Sequence, residues 1–209
     1  MTLINRRRFS QGILAAGAFA SAGQAAVAGV VSPWAARLIA AARQQIGTTT
    51  IYDPAYVGLK YPMGDVPRER GVCTDVVIRA YRDAFAIDLQ KLVHDDMAAS
   101  FARYPKIWGL KRPDRNIDHR RVPNLEVYLA RRAAGLPVSA SPADYQPGDL
   151  VTQRLPGNLP HIAIVSDEVG ASGQPLVIHN IGAGARLEDT LFAFTINGHY
   201  RFAPELAGT

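Results

Sequence analysis

A chain of 209 residues with a single cysteine, Cys73, cannot staple itself with an internal disulfide. Its fold must come from buried apolar side chains, and an apolar content of 48% supplies enough of them for one substantial core. The same residue also poses a chemical question. The N-terminus carries the pattern of an export signal, and exported proteins ordinarily use cysteines in pairs. A lone thiol is then either a small buried hydrophobe or a reactive group.

The export reading rests on Asn5-Arg6-Arg7-Arg8-Phe9-Ser10, followed by an uncharged run of small and apolar residues from Gly12 to Ala28. A basic segment, a short apolar core and a small-x-small ending, Ala26-Val27-Ala28, make up a secretory signal. The paired arginines with Phe close behind match the twin-arginine pattern, which implies a bacterial protein delivered to the periplasm. An uncleaved anchor is the alternative, but the run is rich in Ala and Gly and short of the roughly 20 strongly apolar residues a spanning helix needs. Residues 1–28 are thus expected to form the signal and residues 29–209 one domain, with no stable membrane span after cleavage.

Charge is read after that removal. The chain has 23 Lys+Arg against 18 Asp+Glu, and Arg6, Arg7 and Arg8 belong to the signal, so the remainder is close to neutral. That balance gives no support to a nucleic-acid partner, which calls for a clustered basic footprint. One local cluster remains, running from Lys111-Arg112 to Arg120-Arg121. It suits an acidic polymer, or is simply a solvated face.

Ser32-Pro33 is a good helix start, and the apolar spacing of Leu38, Ile39, Ala42 and Ile46 predicts a helix from Trp34 to about Ile46, stopped by Gly47. Thr48 to Met63 reads as an irregular aromatic loop. Val76, Val77, Ala80, Tyr81 and Ala84 predict a second helix over 74–85, with Cys73 at its N-terminus. Further helices are expected over 89–104 and 124–134, separated by a basic surface excursion from Pro105 to Arg121. The character then changes: His161–Ser166, Pro175–Ile178 and Leu191–Ile196 are β-rich. Asn197-Gly198 predicts a two-residue hairpin with His199–Phe202 as the return strand. Helices first and short strands later indicate an α+β domain with a mainly antiparallel sheet.

A thiol becomes a nucleophile by ionising, and a helix N-terminus or a neighbouring imidazole lowers its pKa into the ~3.5–7.5 range. Cys73 has the first of these in its predicted position. Of five histidines, His161 opens an apolar strand and His179 ends the next, so antiparallel pairing would bring the two rings together. One would act as base towards Cys73 and the other would orient it. His94, His119 and His199 lack that placement, and His199 reads as structural. A zinc site drawn from Cys73, His94, Asp95, Asp96, Asp118 and His119 is the competing chemistry, but no CxxC, HExxH or HxxxH spacing supports it, so no metal and no cofactor is expected.

The order Gln44-Gln45-Ile46-Gly47, aromatic loop, Cys73-Thr74-Asp75, Pro147-Gly148-Asp149-Leu150-Val151, His161-Ile162-Ala163-Ile164-Val165 and His179 resembles the NlpC/p60 cysteine peptidases, papain-like enzymes of bacterial cell walls. More closely, Arg70–Asp75, Asn116–Arg120, His179–Gly182 and Gly198–Arg201 resemble a YijF-like family catalogued as a domain of unknown function. The resemblance implies a papain-like (NlpC/p60-type) fold and a Cys73–His161–His179 triad. It further implies periplasmic hydrolysis of an amide bond in peptidoglycan peptides or a related cell-envelope substrate. Tyr52 or Tyr61 would help stabilise the oxyanion, and Asp65, Asp75, Asp118, His119 and Arg120 are candidate substrate contacts. A non-catalytic envelope-binding module and a thiol acyl or peptidyl transferase are the alternatives. The sequence departs from the peptidases at the nucleophile, with Val72-Cys73-Thr74-Asp75 in place of their usual Asp-Cys-Ser-Gly. The excursion over 92–122 is also longer than a minimal core requires.

Overall fold

Ser32 and Pro33 do open the first helix in the computed structural model, which describes residues 31–208; the expected signal over 1–28 lies outside the described residues. The Ser32 hydroxyl accepts from the Ala35 N–H, and α1 runs over Pro33–Arg43 with Leu38, Ile39 and Ala42 buried. It ends short of the expected Ile46, which is exposed, and the chain turns out through Gly47 at a φ of 77°. β1 (Ile51–Tyr52) and β2 (Arg70–Gly71) form a small parallel pair. β2 delivers the chain into α2 (Cys73–Phe85), whose left-handed C-cap is Ala86.

Asp88 caps α3 (Leu89–Ser100) by accepting from the Lys91 N–H. A short 3-10 turn follows at Phe101–Arg103 in place of a continued helix, because Pro105 pushes Tyr104 into extended geometry. The last helix, α4 (Val122–Arg131), starts earlier than expected, with Pro123 in its first turn. Asn124, where the helix was expected to begin, lies inside it and donates to the Asp118 carbonyl at 3.0 Å.

Six strands form the main sheet: β3 (Gly135–Leu136), β4 (Leu150–Leu155), β5 (Leu159–Val169), β6 (Pro175–His179), β7 (Arg186–Glu188) and β8 (Thr195–Tyr200). Their order is β3-β8-β4-β5-β6-β7 and every pair is antiparallel, so the architecture is α+β. Alternation along β5 divides the core. Ile162 and Ile164 face the helices, packing with Leu38, Val76, Val77, Tyr81 and Leu125. Ala163 and Val165 join Val151, Val177, Leu191 and Tyr145 on the other face.

Two expectations fail in the last third. Asn197-Gly198 is not a hairpin turn: β8 runs on through it, paired with β4 on both sides of Asn197 and with β3 just beyond, at His199 and Tyr200. Thr152 pairs with Gly198 and Gln153 with Ile196, so Asn197 is the extra residue of a β-bulge. The local Asn-Gly preference loses to that pairing, and glycine is required for space: a Cβ at 198 would meet Thr152 Oγ1 at 2.5 Å. Of the predicted strand over 191–196, residues 191–194 are a turn and only Thr195 and Ile196 belong to β8, while the three-residue β7 has no forerunner in the sequence pattern.

Candidate active site

Cys73 is the first residue of α2, placed there by a dense set of contacts around Val72–Asp75. The Asp75 carboxylate accepts the Val72 N–H at 2.7 Å and closes the helix start. It also receives Arg120 twice, from Nε and Nη2, both at 2.9 Å. Arg120 spends its remaining reach on the carbonyls of Ala55 and Asp53. One guanidinium therefore ties the aromatic loop and the basic excursion to the first turn of α2. From the sheet side, the Asn180 amide donates to the Gly71 carbonyl at 3.0 Å, anchoring the approach to Cys73 on the residue after His179.

The two strand histidines meet as their positions predict. Ile178 pairs with Ile164, which brings His179 level with Ala163, one same-face step from His161. His161 Nε2 lies 2.9 Å from His179 Nδ1, with the rings edge-on. His179 Nε2 lies 2.8 Å from Glu188 Oε2 on β7. The direction of these bonds follows from their end. A carboxylate only accepts, so His179 donates from Nε2 and its Nδ1 carries the lone pair. His161 must then donate from Nε2, and its own basic nitrogen is Nδ1. The residue after His161 on β5 reaches the thiol: the N–H of Ile162 hydrogen-bonds the Cys73 sulfur.

Burial governs ionisation here. Desolvation pushes the Cys73 thiol up to about 11, outweighing the N–H groups of Ile162, Thr74 and Cys73, and Asp75 adds to the rise. The expectation of a thiol acidified by a helix N-terminus is thus corrected: at 6% exposure the cost of a buried thiolate is larger than what the helix end returns. Burial, with His179 second, holds His161 down at about 3. His179 is lowered too, desolvation again prevailing over the Glu188 carboxylate. At rest the thiol is therefore protonated, and burial disfavours a charge on either imidazole of the pair.

Above Cys73 opens a cavity of about 200 Å³, walled by Tyr52, Trp108, Ile117, Arg120, Val122 and Pro160 among others. Of the predicted contacts, Tyr52 and Arg120 line it. Asp75 lies beneath it, 3% exposed and fully engaged, so it is a support and not a substrate contact. The others are elsewhere. Tyr61 hydrogen-bonds Asp95 and meets the His94 ring. Asp65 pairs with Arg79, a guanidinium of zero exposure, and with Arg82. Asp118 is buried where it accepts the Asp114 N–H, and His119 is buried and kept neutral, its pKa pushed down to about 3 by desolvation. Among the described residues no three His, Cys, Asp or Glu side chains gather as metal ligands.

The family model described as a domain of unknown function, DUF1287, matches residues 39–202. The chain belongs to the DUF1287 family. It is 63% identical over 161 residues to the uncharacterized protein YijF of Escherichia coli (strain K12), covering 77% of this chain and 78% of that protein. The DUF1287 region opens inside α1 and closes just after β8, so it encloses Cys73, His161, His179 and Glu188. Sequence reasoning missed two parts of this DUF1287 site. Glu188 sits on a strand too short to show alternation, and Trp108 lies in an excursion read only for its charge.

Proposed function

We propose that this protein is an exported, periplasmic cysteine hydrolase of papain-like type, cleaving an amide bond in peptidoglycan peptides or a related cell-envelope compound. The observation that carries the reading is the polar chain His161–His179–Glu188, whose hydrogen bonds leave His161 Nδ1 as the base one residue from the N–H that contacts the Cys73 sulfur. Because the resting thiol is protonated, attack and proton transfer would be concerted. As Cys73 Sγ bonds to the carbonyl carbon, its proton passes to His161 Nδ1. His179 and Glu188 stabilise the resulting imidazolium. His161 then gives the proton to the leaving amine as the C–N bond breaks, and water hydrolyses the thioester by the same route. The Cys73 N–H and the Tyr52 hydroxyl are the candidate oxyanion donors.

The test is digestion of peptidoglycan stem peptides followed by mass spectrometry, with wild type and Cys73→Ala side by side. Amide cleavage lost in the variant is the expected result; equal cleavage by both ends the proposal.

The neutral, 6%-exposed thiol favours one second reading, a binding module on the same fold. In that case Cys73→Ala retains full affinity for envelope fragments and wild type releases no product.

A further inference from the structure

The basic excursion divides its cations into two sets. Arg120 is committed to Asp75, and Arg121 to Asp118 and the face of Trp108. Lys111, Arg112 and Arg115 have no carboxylate partner among the described residues, and all three line a second, larger cavity of about 890 Å³. That cavity also takes in Tyr56, His94, Asp114 and Asn116.

Its one carboxylate is already used. Asp114 accepts the Asn116 N–H at 2.9 Å with one oxygen and the Tyr56 hydroxyl at 3.0 Å with the other. Those bonds, and the one from the Leu59 N–H to the Asn116 side chain, strap the excursion to the aromatic loop and hold the cavity open. Arg115 is laid over the Tyr61 ring at 5.4 Å, so its guanidinium is positioned before any ligand arrives. In the same wall, His94 Nδ1 is buried without a hydrogen-bond partner. A merely solvated basic face needs neither a cavity, nor a stacked arginine, nor an orphaned nitrogen.

The two cavities abut along the chain. Trp108 and Ile117 belong to the Cys73 cavity, and everything from Gly109 to Asn116 belongs to the basic one. We propose that the basic cavity is an anion subsite, taking a phosphate or carboxylate group of the same ligand whose other end enters the pocket over Cys73. Three unpaired cations around a space of this size fit a group with at least two oxyanion charges, recognised by charge and by guanidinium hydrogen bonds. That this ligand is a substrate rests on the hydrolase reading; the anion site does not.

Calorimetric titration of the full chain at low salt, with pyrophosphate and with glutarate as separate probes, tests the site. Binding of at least one probe with a Kd below about 1 mM is expected, weakened about tenfold or more in Lys111→Gln/Arg112→Gln and unchanged in Cys73→Ala. Pyrophosphate alone would identify a phosphorylated ligand, glutarate alone an acidic peptide, and either supports the site. Failure of both probes to bind, or equal binding by wild type and the double variant, overturns it. Because the two side chains are exposed and unpaired, the variant should keep the wild-type melting temperature, and Arg112→Glu gives a second variant of the same reach. Loss of peptide cleavage in Cys73→Ala with probe binding intact would separate the fate of this site from that of the thiol.

Discussion

Two buried histidine–carboxylate pairs sit in this sheet, and they end differently. His179 meets Glu188 at 2.8 Å, and His199 meets Asp149 at 2.8 Å. Both rings are essentially inaccessible. They differ in what the second ring nitrogen faces. For His179 it is His161, the base of the proposed mechanism. For His199 it is the Pro137 carbonyl at 3.1 Å, where the chain stops. Asp149 is moreover saturated, taking Arg201 twice and the Gln146 N–H, while the His199 ring stacks on Tyr145. A histidine held by a carboxylate is therefore no signature of catalysis. The group at the far end of the chain decides whether the pair can pass a proton to chemistry or only brace a strand.

The sharpest way to break that contrast is to truncate one member of each network. His161→Ala should lower peptide turnover by about 10³-fold, within the range for removing a general base, and should lower the unfolding midpoint in urea less than loss of the Asp149 carboxylate does. Asp149→Ala should cost more stability and leave the turnover of the folded protein near wild type. It strips the partner from His199 and from Arg201 at once, and loss of one partner from a buried charge pair costs about 3 kcal/mol or more. Urea unfolding reads the second effect and product formation the first. If the Asp149 variant loses turnover with its stability intact, the division drawn here is wrong.

A finer cut falls on Glu188. Glu188→Gln keeps the shape of the His179 contact but removes the charge, and its amide can donate as well as accept. With a donor facing His179 Nε2 the whole chain of tautomers reverses, and His161 presents an N–H where the base should be. The expected outcome is a fall in kcat of about 10- to 100-fold, with stability little changed because the Glu188 side chain is 30% exposed. Ring nitrogen chemical shifts of His161 and His179 should move in the variant. A change in turnover without any tautomer change would assign Glu188 a different role.

Much of this site was legible because its parts announce themselves one residue at a time. A lone cysteine before a helical run, a histidine near the start of an apolar strand and another at the end of the next are local patterns, and antiparallel pairing places the two rings together. Ser32-Pro33 and the face of α2 were legible for the same reason. The failures share a cause as well. Asn197-Gly198 favours a turn in isolation, but pairing of β4 with β8 on both sides of Asn197 makes it a bulge. Asp65, Asp118 and His119 read as candidate substrate contacts because their surroundings, Arg79, the Asp114 N–H and a dry interior, are distant in sequence or not side chains at all. The acidity expected of Cys73 failed similarly: a helix start is visible in sequence, and the depth at which it is buried is not.

That depth has a consequence for stability that separates the histidine from the thiol, through pH alone. His161 has a folded pKa of about 3 against an ordinary 6.5, so below pH 6.5 the unfolded chain binds a proton that the folded chain refuses. The stability this residue supports is fully present above pH 6.5 and is lost progressively as pH falls towards 3, at up to about 1.4 kcal/mol per pH unit. Cys73 acts at the other end with the opposite sign. Its folded pKa of about 11 stands above the 9.0 of an ordinary thiol, so its contribution is intact below pH 9 and fades as pH rises from 9 to 11. Urea unfolding measured at successive pH values should show both slopes. His161→Gln should remove one histidine's share of the acid slope, and Cys73→Ala should flatten the alkaline one, each without touching the other. Alkylation of the thiol in the folded chain should likewise climb about tenfold per pH unit from 7 towards 10, because only the thiolate reacts. A folded chain that alkylates rapidly at pH 6 would mean that Cys73 is already ionised, and that its imidazole neighbour carries the charge which burial here withholds.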